Sequence, residues 1–107
     1  MTVAALRPAE IGIGKTFCTD ASHNRRGRPG IYDPEVGIVK IVEPASGAPI
    51  AALVNFAVHG TAHGGGNMYY SADVMGVFER SVESTLGGGV ALLLNGAEGD
   101  VAPDGGL

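Results

Sequence analysis

The sequence predicts an α/β fold: a mixed sheet with an antiparallel hairpin and a β-α-β crossover, forming part of a larger domain. Three observations predict it. Two β-branched, apolar runs, "VGIVKIV" and "IAALVNFAVH", are separated only by the turn-like "EPASGAP". The stretch "SADVMGVFERSVESTLG" repeats apolar residues at helical spacing. A short, wholly apolar run, "VALLLN", follows that helix after a glycine triplet.

Taken in chain order, residues 1–35 read as an irregular N-terminal segment. "GIGKTF" is short, and "NRRGRPGIYDP" is punctuated by Gly and Pro. Residues 36–107 carry the hairpin, helix and strand. The first run, 36–42, is strand-like. The second, 50–59, is apolar on both faces, which suits a strand inside its sheet. The connection is short enough for an antiparallel hairpin. In the helix, 71–87, Ser71 is the expected cap and Asp73 sits in the first turn, where the macrodipole favours an anion. Val74, Val77, Phe78, Val82 and Leu86 form the apolar stripe, and Gly87 is the expected stop. The run 90–95 has no polar face and is expected in the centre of the sheet, parallel to 50–58. The following "GAEGDVAPDGGL" reads as a polar loop.

Composition narrows the function classes. The chain has 107 residues, 45% hydrophobic and 17% charged, which suits one domain or part of one rather than a disordered segment. With a net charge of −4 and no block of basic residues, nucleic acid is not an expected partner. No apolar run approaches the roughly 20 residues of a transmembrane segment. "MTVAALRPAE" lacks the basic start and long apolar core of a signal peptide. Cys18 is the single cysteine and cannot form an internal disulfide, which leaves the compartment open.

Chemistry is expected at one edge of the sheet. Ligands of open α/β sheets gather at the carboxyl ends of parallel strands. His59 ends one such strand; Asn95 ends the other, with Glu98 and Asp100 just beyond. Glycines around His59 leave room for a ligand or a neighbouring loop. Each residue also has a structural reading. A histidine at a strand end is more often hydrogen-bonded than ligating. His59 and His63 form H-x-x-x-H, but Gly60 and the Gly64–Gly66 triplet argue against the helix that would set both on one face. Ser71 reads better as a helix cap than as a nucleophile. Asp73 fits helix-dipole pairing, and Asp100 fits a turn. Met68, Tyr69 and Tyr70 line a pocket or cover the sheet edge. Arg25, Arg26 and Arg28, as a charge run, read first as a solvated patch.

The segments taken together resemble the N-terminal domain of the neutral/alkaline non-lysosomal ceramidase family. The resemblance rests on "NRR", then "DPEVGIVKIVEPASGAPIAALVNFAVHGTAHGGGN", then "YSADVMGVFER", then "LLLNGAEGDVAP", in the family's order over roughly residues 8–104. It implies a zinc-dependent amidase that cleaves a lipid amide such as ceramide to sphingosine and fatty acid. In that family two His, a Glu and a Tyr hold the zinc, whose bound water has its pKa lowered towards about 7. His59 matches the second histidine ligand, which implies a metal role. Arg25 matches an active-site arginine, a catalytic role in which it would hold a developing oxyanion. That replaces the solvated reading for this one residue. Asp73 and Asp100 match motif positions read as structural support.

The chain departs from the family's pattern in three ways. The first histidine ligand is expected upstream of Met1, and the Glu and Tyr ligands downstream of Leu107. The chain therefore reads as a fragment with an incomplete zinc ligand set, inactive by itself and open to self-association through uncovered apolar surface. In "GDVAP", Ala102 stands where the family's ceramidases carry Ser. The alternative is a non-catalytic α/β module that keeps the fold for binding or assembly. A parent reading frame with an upstream His motif would discriminate between the two.

Overall fold

A computed structural model describes residues 6–105; Met1–Ala5 of the leading stretch and Gly106 and Leu107 of the closing loop lie outside the described residues. The order is β1 (Glu10–Phe17), β2 (Ser22–Asn24), β3 (Glu35–Val42), β4 (Pro49–Phe56), α1 (Asp73–Leu86), β5 (Val90–Asn95) and β6 (Val101–Pro103). β1, β3, β4 and β5 form one sheet in that order, and β2 and β6 form a second, two-stranded one.

The expected hairpin is β3–β4, antiparallel in register from Gly37 opposite Asn55 to Ile41 opposite Ala51. The expected crossover is β4–α1–β5, with β5 parallel to β4. The fold is thus mixed α/β. One face of the sheet carries the core: Val36, Val54 and Phe56, with Val58 just beyond β4, packed by Val74, Met75 and Phe78 of α1. The fully buried members contribute about 1.5–3 kcal/mol each, and the half-buried α1 side chains that hold the helix on the sheet contribute less.

The expected polar loop after β5 contains the short strand β6, paired with β2, and three further expectations are corrected. First, the segment 1–35 is not irregular throughout, because β1 pairs with β3 along its whole length, from Glu10 opposite Val42 to Phe17 opposite Glu35. The glycines of "GIGKTF" read locally as breakers. In the ladder they alternate with Ile11, Ile13 and Lys15, and Lys15 closes on Glu35 at 2.8 Å. Cross-strand pairing outweighs the weak local propensity.

Second, β5 is an edge strand of this sheet, not a central one. Its outward amides are nevertheless occupied: Ala91 N–H donates to the Glu83 carboxylate and Leu93 N–H to that of Glu79. Helix side chains thereby blunt an edge that would otherwise recruit another strand. Val90, Leu92 and Leu94 are apolar because they lie on the sheet's second face, where each is about half exposed. Register continues that face as a row, Ile13–Val39–Leu53–Leu92, across all four strands. An apolar face of this extent is what part of a larger domain presents.

Third, α1 begins at Asp73, and its N-cap residue is Ala72, which makes no side-chain cap bond. Ser71 accepts the Asp73 N–H instead. At the other end Gly87 does stop the helix, with φ 77°, a conformation glycine adopts without steric cost. Gly89, at φ 81°, brings the chain so close to β4 that a Cβ there would lie 3.0 Å from the Ile50 carbonyl oxygen.

Candidate functional site

The parallel pairing of β4 and β5 sets their carboxyl ends side by side, Phe56 opposite Asn95. Just beyond, Gly96 N–H donates to the Phe56 carbonyl, and His59 N–H donates to the Val101 carbonyl. The loop after β5 is thereby folded back against the end of β4, and β6 lies beside it. β2 pairs with β6 and carries Asn24 and then Arg25 to the same edge, where Arg25 N–H donates to the Asp100 carbonyl. His59, Arg25, Glu98 and Asp100 thus meet on one edge, as the crossover requires.

Within this cluster the His59 ring is oriented at both ends. Nδ1 lies 2.7 Å from the Glu98 carbonyl oxygen. A carbonyl only accepts, so Nδ1 carries a proton, and the Nε2 lone pair faces Arg25. Arg25 Nη2 lies 3.4 Å from Nε2 and donates to the Gly99 carbonyl at 3.0 Å. The His59 side chain is 25% exposed, so it is accessible without being loose. Glu98 Oε2 sits 3.9 Å from Nδ1 and has no hydrogen-bond partner. That acceptor oxygen stands on the proton-bearing side of the ring.

Asn24 is a structural member of the site that its motif did not explain. Nearly buried, it donates to the Ile31 carbonyl and to Asp100 Oδ2, and accepts from Arg26 N–H. It fixes the arginine-bearing turn to the loop after β5. The signal in the sequence was only an Asn before an Arg; its partners lie 7 and 76 positions away. Asp100 serves the same joint through its carboxylate and its carbonyl.

The remaining residues fall elsewhere. His63 donates its backbone N–H to Asp73, and among the described residues no group of three or more His, Cys, Asp or Glu side chains is disposed to hold a metal ion. Met68, Tyr69 and Tyr70 are exposed. A cavity of about 650 Å³ under α1, lined by Phe56, Val58, Val74, Phe78 and Pro103 among others, includes neither His59 nor Arg25. Ala102 lies in β6 opposite His23, whose Nδ1 contacts the Asp104 carboxylate at 2.5 Å.

Asp73 does more than face the helix dipole. Its carboxylate accepts the N–H groups of Ala62, His63 and Val74. Desolvation pushes this carboxyl up, but the amides of His63, Val74 and Ala62, with the His63 charge, together hold it below its ordinary value. A depressed carboxylate adds stability above the unfolded value of about 3.9, and that stability is lost as pH falls through the lower folded value. Asp73 has φ 50°, which Asn tolerates as Asp does. Asp73→Asn therefore removes the charge and one acceptor without new backbone strain. It is expected to speed hydrogen exchange at the Ala62 and His63 amides at neutral pH. Wild-type protection at those two amides in the variant would show that the carboxylate does not hold the loop.

No family model matches the chain, and no curated protein does. Solved structures do. The chain aligns with a crystal structure of neutral ceramidase from Pseudomonas aeruginosa at a TM-score of 0.76 and 25% identity, over 91% of this chain and 18% of that one. It aligns with a ceramidase complexed with C2 at 0.77 and 25% identity, over 92% and 17% respectively. The chain therefore spans less than a fifth of the proteins it matches. Over nearly its whole described length, it is similar in structure to one part of neutral ceramidase, a ceramidase-like relation.

Proposed function

We propose that the chain is part of a zinc-dependent amidohydrolase resembling neutral ceramidase, with His59 as one metal ligand and Arg25 as a catalytic residue. The observation that carries this reading is the His59 ring. Its Nδ1 is spent on the Glu98 carbonyl, so Nε2 is the ring nitrogen left for a metal, which would have to displace the Arg25 Nη2 now 3.4 Å from it. The donor set fits zinc as far as it goes, with one nitrogen of the right tautomer. When bound, zinc supplies a water of lowered pKa. In this reading Arg25, beside the ring, binds the carbonyl oxygen of an amide as negative charge develops there. The neighbours point to a lipid amide as the substrate class. The uncovered sheet face is the surface available for the rest of a larger domain or for self-association.

A second reading rests on Ala102. A methyl group stands where the family's ceramidases place a hydroxyl, which favours either another amide substrate or a non-catalytic module.

The test is a zinc titration of the chain carrying ¹⁵N-labelled histidine. The expected result is movement of the His59 Nε2 signal while Nδ1 stays protonated, and loss of that response in His59→Ala. Zinc acting equally on His23 and His63, with His59 silent, would remove the metal assignment.

A further inference from the structure

The arginine-bearing turn has a feature that neither the ligand role of His59 nor the oxyanion role of Arg25 uses. Arg26 and Arg28 line an open hollow of about 550 Å³ together with Gly99 and Asp100. Among the described residues, neither guanidinium makes a hydrogen bond or an ion pair. The backbone beneath them is nevertheless well organised. Arg26 N–H and the Ile31 carbonyl are both tied to Asn24, Ile31 N–H donates to the Arg28 carbonyl, and Gly27 and Gly30 take positive φ. The turn thus fixes the backbone from which both exposed arginine side chains line the hollow.

The hollow is not balanced by its own acid. Asp100 is its one lining carboxylate, and Oδ2 of that group is already engaged by Asn24. Two guanidiniums against one carboxylate leave the hollow positive, in a chain whose net charge is −4. The planar fork of a guanidinium matches the paired oxygens of a carboxylate or phosphate. Position makes this more than a surface patch. Gly99 lines the hollow, and its carbonyl holds Arg25 Nη2, which lies against His59 Nε2.

We infer that the Arg26–Arg28 hollow is a subsite for an anionic oxygen group, and that the amide handled at His59 and Arg25 carries such a group on the side facing Gly99. This rests on the proposed amide-hydrolase reading and deepens it: the substrate class becomes an acidic N-acyl amide, with a carboxylate or phosphate, rather than a neutral one.

The experiment uses the whole chain, metal-free, with ¹⁵N detection of arginine Nε–H groups, backbone amides and histidine rings. Three probes are compared: inorganic phosphate, N-acetylglycine and the neutral N-acetylethanolamine. Phosphate and N-acetylglycine are expected to shift Arg26, Arg28 and Gly99, and only N-acetylglycine is expected to shift His59 as well. N-acetylethanolamine is expected to shift none of the hollow residues. The double variant R26Q/R28Q is expected to weaken both anions by about tenfold, the scale of losing charge-assisted hydrogen bonds. Equal binding in wild type and variant, or equal binding of the neutral probe, would overturn the inference. So would phosphate seated in the hollow while N-acetylglycine leaves His59 unmoved. Because no metal enters the measurement, a failure here is distinct from a failure of the zinc assignment.

Discussion

Purified and supplied with zinc, the 107-residue chain is expected to hydrolyse no ceramide above a metal-free control. A catalytic zinc takes about three protein ligands and keeps one position open for water. The residues on this sheet edge provide His59 as one nitrogen donor. His63 is tied through its backbone to Asp73, on the loop leading to α1. Glu98 Oε2 lies on the Nδ1 side of the His59 ring, away from the lone pair that would meet a metal. A loosely held ion cannot orient water against a carbonyl within the tolerance that catalysis demands. Ala102→Ser is expected not to restore turnover, since it adds a hydroxyl and no ligand. The measurement is release of product from a fluorescent ceramide across a zinc series. Turnover that rises with zinc occupancy and disappears in His59→Ala would show that the chain builds a complete site, and the fragment reading would fall.

Phe56→Ala is expected to remove most of the chain's stability at room temperature. Phe56 is 4% exposed at the end of β4, clustered with Val36, Val54 and Val58 under Phe78 of α1. Truncating a buried phenylalanine costs about 3–5 kcal/mol. Domains are stable by about 5–15 kcal/mol, and a sheet with one bare apolar face belongs at the low end. Leu92→Ala is the matched control. Leu92 is on the uncovered face, 48% exposed, and its loss should cost far less. Urea unfolding followed by circular dichroism should give a midpoint less than half the wild-type one for Phe56→Ala and one close to wild type for Leu92→Ala. Equal midpoints for the two variants would mean that the α1-facing cluster is not the core.

What was legible in the sequence was local or ordered along the chain. β-Branched, apolar runs marked β3 and β4, and the short turn between them left little choice but a hairpin. Helical spacing marked α1, and Gly87 ended it where a left-handed residue was needed. The run of strand, helix and strand implied parallel β4 and β5, and hence one edge for His59 and the loop after Asn95. These signals depend on neighbours two to four positions apart, so a sequence displays them directly.

Tertiary structure decided whatever depended on distant partners. β1 exists because β3 supplies a ladder for glycines that discourage a strand by themselves. β5 is apolar like a central strand but stands at an edge, because side chains of α1 take its outward amides and its second face is bare. The same holds at the site. The sequence named His59 and Arg25; only folding set the Glu98 carbonyl against Nδ1, Arg25 against Nε2 and Asn24 across the turn beneath them. A hydrogen bond is directional and effective over about 3 Å, so which donor meets which acceptor is settled by the path of the chain, not by the residues nearest in sequence.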